Sequence, residues 1–93
     1  MSNHIRRQRM AAARAKGTHT PAEWIALKNE FQCRCVRCGD GTMRLDKDHI
    51  VPVYKGGSDS IDNIQPLCAR CNASKGPETT DWAAFRRIHG WGM

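Results

Sequence analysis

The chain has 93 residues, a length for one small domain, and a formal net charge of +6 with a pI near 9.4, which points to an anionic partner. A core of this size is marginal on its own, so a structural metal is a natural staple. No apolar run reaches the length of a membrane span, and Met1 to Arg7 lack the apolar segment of a secretory signal, so the expected compartment is the cytoplasm. Five cysteines in a reducing compartment favour a metal site.

The charge is uneven. Residues 1–19 hold five basic side chains and no acid; residues 20–93 hold ten basic and nine acidic ones. This predicts a basic N-terminal arm over 1–19 and a single folded domain over 20–93. Asn3 to Lys16 are helix-capable, being rich in Arg, Gln, Met and Ala, with Gly17 as the stop. Only Ile5 and Met10 give this arm apolar surface. It is either a solvated, frayed segment or one that orders on phosphates through Arg6, Arg7, Arg9, Arg14 and Lys16.

Thr20-Pro21-Ala22-Glu23 is a helix start: Thr20 can cap, Pro21 suits the first turn and Glu23 completes a capping box. Trp24, Leu27 and Phe31 recur at helical spacing, with Ile25 widening the apolar face, which predicts a helix from Pro21 to about Phe31. Gln32 to Gly41 then carry Cys33, Cys35 and Cys38. Met43 to about Ile50 and Ile64 to Leu67 can pair as short strands limited by Pro52 and Pro66. Tyr54 to Asp62 form a polar loop between them. Ala69 to Lys75 reads as a short helix stopped by Gly76-Pro77, and Asp81 to His89 as a last helix. There Thr80 is the expected cap, and Trp82, Phe85 and Ile88 form the core face. Arg86 and Arg87 are expected to be solvated.

Two Cys-x-x-Cys pairs, Cys35/Cys38 and Cys68/Cys71, frame the chain's centre. Each short spacer lets both sulfurs reach one ion about 2.3 Å away, so a zinc site is expected, with two disulfides as the alternative. Cys33 lacks the spacing and is expected to be a buried thiol, or else a substitute for Cys35. The 29 residues between the pairs are more than a zinc ribbon needs, which suggests that function is built into them.

The text inside that frame is Asp48-His49-Ile50-Val51-Pro52, Lys55-Gly56-Gly57-Ser58, Asn63-Ile64-Gln65-Pro66-Leu67-Cys68, then Cys71-Asn72 and Lys75. In order and spacing it resembles the HNH endonuclease family. The resemblance covers Cys35 to Lys75 and departs at one place, where Asn72 stands at the third motif position instead of the usual His. It implies an α+β fold: a ββα-metal unit at about 43–76, stapled by a four-cysteine zinc site and flanked by N- and C-terminal helices. It also implies hydrolysis of DNA, with a bacterial or phage-encoded origin.

Hydrolysis of a phosphodiester needs a water nucleophile, neutralised phosphate charge and help for the departing 3′ oxygen. His49 is the natural general base. Asp48 offers a carboxylate, and Asn72 an amide oxygen, to a divalent cation; two oxygen donors suit Mg²⁺ or Mn²⁺. By resemblance, Asn63 holds the His-bearing loop through side-chain to backbone hydrogen bonds. Lys75, on the Asn72 face of its helix, can meet a phosphate. Adjacent strand residues point to opposite faces, so for Asp48 and His49 to act together the strand must bend or end there. His4, His19 and His89 are expected to be bystanders. A monomer carries one such site and should nick; a double-strand cut needs a homodimer or a second encounter. DNA is the expected partner, with phage DNA-packaging machinery left open by the resemblance. The rival reading is a non-catalytic zinc-ribbon-like module that binds nucleic acid, and a zinc-stapled protein adaptor is a third.

Overall fold

The computed structural model describes residues 3–76 and 78–92, with side chains from residue 7 onward in that range. The side chains of His4, Ile5 and Arg6, and the expected helix stop Pro77, lie outside it. The chain runs α1 (Asn3–Ala15), α2 (Pro21–Glu30), β1 (Leu45–His49), β2 (Ile64–Cys68), α3 (Ala69–Lys75) and α4 (Trp82–His89). Two 3-10 turns, Val53–Lys55 and Ile61–Asn63, lie between the strands.

Local chemistry accounts for these elements. The Thr20 hydroxyl accepts from Glu23 N at 3.1 Å while Glu23 Oε1 accepts from Thr20 N at 2.9 Å, completing the capping box that starts α2. The helix ends where Gln32 and Cys33 turn left-handed, at φ 57° and 55°, and reverse the chain into the cysteine knuckle. The knuckle closes through Gly39 N to Cys35 O at 2.8 Å and Cys35 N to Asp40 O at 3.0 Å. β1 and β2 pair antiparallel, with Leu45 opposite Cys68, Asp48 opposite Gln65 and His49 opposite Ile64. α3 follows β2 without a break, and Cys68 caps it: its sulfur accepts from Cys71 N at 3.5 Å. The result is the expected ββα unit.

The core gathers Leu27 and Phe31 from α2, Cys35 and Val36 from the knuckle, Ile64 and Leu67 from β2, and Ala83 from α4. Four expectations for the helices need correction. Ile25 does not widen the buried face of α2; it is 53% exposed. In α4 the buried residue is Ala83, while Phe85 and Ile88 face solvent. The small side of that helix lets its backbone approach β2, so that Ala83 N donates to Gln65 Oε1 at 3.1 Å. Asp81, not Thr80, caps α4, its Oδ1 accepting from Ala84 N at 2.8 Å, and the Thr80 carbonyl instead accepts from Gln65 Nε2. Arg86 is not merely solvated. Its guanidinium donates to the knuckle carbonyls of Val36 and Arg37 at 2.7 and 3.0 Å, and Arg87 pairs with Glu30 of α2.

The arm also differs from a detached tail. Ala13 of α1 is buried at 2% exposure, and α1 packs on the 3-10 turn Val53–Lys55. Lys16 Nζ donates to Gly56 O at 2.7 Å. No helix among the described residues is long and apolar enough to cross a membrane.

Candidate functional site

Knuckle, strand end and helix start bring four sulfurs together. Those of Cys35, Cys38, Cys68 and Cys71 all lie within 4.8 Å of one another, and Cys38 and Cys68 stand 3.9 Å apart. Four thiolates on a tetrahedral ion at about 2.3 Å are themselves about 3.8 Å apart, so the cluster fits zinc. All five cysteines are free thiols, which sets aside the two-disulfide alternative. Burial pushes the Cys35 thiol up, but backbone N–H groups of Cys38, Cys68 and Arg37 outweigh it and bring the thiol down to about 7. Burial raises Cys38 above the usual thiol range. Cys71 goes up further, through burial and then its sulfur neighbours. One thiolate therefore forms readily, and the others await a cation to offset their mutual repulsion. Cys33 is neither buried nor in the cluster: the left-handed turn carries it to the surface, near Asn29 Oδ1 at 3.6 Å.

The end of β1 and the inner face of α3 enclose a cleft of about 220 Å³. Asp48, His49, Asn72 and Lys75 line it, with Pro52 and Tyr54 at its side. Asp48 and His49 are neighbours in β1, yet both line this cleft, which lies at the strand's end where His49 is the last residue. The Asp48 side chain lies beside its cross-strand partner, Gln65, whose Nε2 donates to Asp48 Oδ2 at 2.8 Å. Lys75 donates to Asp48 Oδ1 and Oδ2 at 3.0 and 2.8 Å, and to the carbonyls of His49 and Ile50 at 2.9 and 3.2 Å. Both members of this ion pair are buried, Lys75 at 4% exposure and Asp48 at 6%. Lys75 is therefore not the exposed phosphate contact expected from its position. Its stem runs under the β1 end, and its ammonium is consumed by one carboxylate and two carbonyls.

The loop after His49 is held by Asn63. Its Oδ1 accepts from Val51 N at 3.0 Å, and its Nδ2 donates to Val51 O at 3.1 Å and Ser58 O at 2.7 Å. A Cβ on Gly57 would overlap the Val51 carbonyl oxygen, so only glycine lets the two sides of this loop meet. His49 Nε2 donates to Asp59 Oδ1 at 2.8 Å. His19, expected to be a bystander, is packed against the same loop: its side chain is 6% exposed and its Nδ1 donates to the Asp59 carbonyl at 2.7 Å. Asp59 and His19 carry no signal in spacing alone, because their partners lie 10 and 40 residues away.

The basic arm reaches this cleft at Arg9, which lies against Tyr54. Arg7 is exposed, Arg9 lies over the Tyr54 ring at 5.9 Å, Arg14 is 3.9 Å from Asp59 Oδ2, and Lys16 reaches the Gly-Gly loop. Arg6, expected with them, lies outside the described side chains. Among curated proteins, none matches the chain. The family model of HNH endonucleases matches residues 34–78, a span that opens at the knuckle and closes just past α3. The cysteine cluster, the Asn63-braced loop and the cleft all fall within that span, so the part of the chain that carries the candidate site is the part similar to HNH endonucleases.

Proposed function

We propose that the chain is a metal-dependent endonuclease that hydrolyses DNA phosphodiester bonds. The observation that carries this reading is the convergence of Asp48, His49 and Asn72 on one cleft, in the same ββα unit that carries a four-cysteine cluster. Zinc at Cys35, Cys38, Cys68 and Cys71 has a structural role, since it joins knuckle, strand and helix into one body.

His49 takes the proton of the attacking water, and Asn63 keeps the backbone after His49 in place. Asp48 and Asn72 are the protein ligands of the working cation. An ionised carboxylate has about four lone-pair sites; Lys75 and Gln65 occupy three, leaving one on Oδ1. A carboxylate and an amide oxygen suit Mg²⁺ or Mn²⁺, which would neutralise charge on the phosphate and on the leaving 3′ oxygen. Arg6, Arg7, Arg9, Arg14 and Lys16 supply sequence-independent attraction along α1.

Supercoiled plasmid with Mg²⁺ or Mn²⁺, with and without chelator, tests the reading. Cleavage is expected from the parent chain and from Asn72→His, the latter with a profile shifted toward softer ions. His49→Ala should bind DNA without cutting, and Asp48→Ala should lose metal binding too. If His49→Ala cuts as fast as the parent, the mechanism is wrong. If the ion profiles of the parent and Asn72→His coincide, Asn72 is not a ligand. The rival reading, a non-catalytic zinc-ribbon-like module, draws support from the Asp48–Lys75 pair, because Lys75 already balances the carboxylate's charge. A parent chain that binds DNA and never cuts it would establish that rival.

A further inference from the structure

We propose that α1 and the segment joining it to α2 belong to the active site, acting through Asp59 as a positioning residue that fixes the tautomer and ring orientation of His49. The inference rests on the nuclease reading and adds a role for the arm beyond charge.

The argument begins with the ring. An ionised carboxylate only accepts hydrogen bonds, so the His49 nitrogen 2.8 Å from Asp59 Oδ1 is the one bearing hydrogen. Nε2 is thereby committed as donor, and Nδ1 keeps the lone pair that can receive a proton. The Asp59 side chain is only 9% exposed, and His49 keeps 21%. The carboxylate is thus shielded while the ring retains an open side.

What holds Asp59 comes almost entirely from residues 13–19. Its backbone N–H is shared between the carbonyls of Ala13 and Gly17, at 3.2 and 3.1 Å. Its carbonyl accepts from His19 Nδ1 at 2.7 Å. Its second carboxylate oxygen accepts from Thr18 Oγ1 at 3.5 Å and faces His19 Nδ1 and Arg14 Nε at 3.7 and 3.9 Å. The approach is close, since a Cβ on Gly17 would meet Ser60 Cβ at 2.9 Å. A carboxylate buried in a polar loop needs such partners to offset its desolvation, and this one finds them only because α1 is docked. Asn63 fixes the backbone after His49; Asp59 fixes the ring.

The test uses the full-length, zinc-loaded chain, its Asp59→Asn variant and ¹⁵N NMR of the His49 ring. Spectra are taken at alkaline pH. In the parent, His49 should be the Nε2–H tautomer. In Asp59→Asn, whose amide can offer N–H to the ring, the Nδ1–H form should become populated. The kcat for plasmid cleavage should fall about 10-fold or more at nearly unchanged KM, within the ~10²–10⁴ that a positioned base contributes. His19→Ala, which leaves the carboxylate in place, should move both readouts the same way by less. A parent His49 in the Nδ1–H form overturns the proposal, even if Asp59→Asn fails to fold. So does an Asp59→Asn variant with parental tautomer and kcat. A parent chain that shows the Nε2–H tautomer and never cuts DNA would sink the nuclease reading while upholding the placement of Asp59 on His49.

Discussion

Replacing Lys75 by methionine keeps an unbranched apolar stem and removes the ammonium. Asp48 then stays buried with Gln65 as its one remaining donor among the described residues, and the His49 and Ile50 carbonyls lose the partner they share. Breaking a buried ion pair from one side costs about 3–5 kcal/mol, because the surviving charge is stranded. Each orphaned carbonyl alone would add about 1–3 kcal/mol, but groups sharing one nitrogen do not add, so the expected total stays near 4 kcal/mol. For a domain of this size that is a large part of the whole stability, and it lowers Tm by roughly 20 °C or more. Urea unfolding at saturating zinc measures it. Asp48→Asn placed on top of Lys75→Met should recover part of the loss, because the stranded charge is gone. Mg²⁺ should stabilise Lys75→Met more than the parent, since a cation can take over the charge that Lys75 supplied. A loss below about 1 kcal/mol, or a double variant weaker than Lys75→Met alone, would refute this account of the pair.

Stripping zinc with a chelator should unfold the chain, as followed by circular dichroism; a folded, active, zinc-free sample would contradict the structural role. Because Cys38 and Cys71 lie above the usual thiol range before metal binds, zinc uptake must release protons, so affinity should fall as pH falls, measurable by competition with a chromophoric chelator. Arg86→Leu leaves the Val36 and Arg37 carbonyls without their donor and should cost about 1–3 kcal/mol while speeding zinc loss. Deleting residues 1–16 should flatten the salt dependence of DNA binding and also slow cleavage at saturating DNA; an unchanged salt slope would remove the arm from the DNA path.

Features that depend on neighbours in sequence were legible from the start. The capping box of α2 and the two cysteine pairs lie within a few residues of what they control, whereas Pro66, expected to limit its strand, lies inside β2. Side-chain fates set by tertiary contact were not. Phe85 and Ile88 look like a core stripe, yet Ala83 is what lets α4 approach β2. Arg86 looks like a solvated charge until the knuckle's carbonyls are seen to point at it. Lys75 looks like a phosphate contact because nothing nearby in sequence shows that its stem passes beneath β1. Asp59 and His19 are ordinary polar loop residues in the sequence, and only the packing of α1 and the segment after it brings them together.

Pro66 sits in the middle of β2, opposite Lys47, and is fully buried. Its carbonyl turns away from β1 and accepts from Val36 N at 3.1 Å. The amide hydrogen that would point the same way does not exist in proline. At its centre, the far edge of the sheet therefore offers an incoming strand neither a donor nor a free acceptor. Two copies of this chain cannot associate by extending that edge into a shared sheet. If two sites are to meet on opposite DNA strands, they must be brought together by another surface or by the DNA itself.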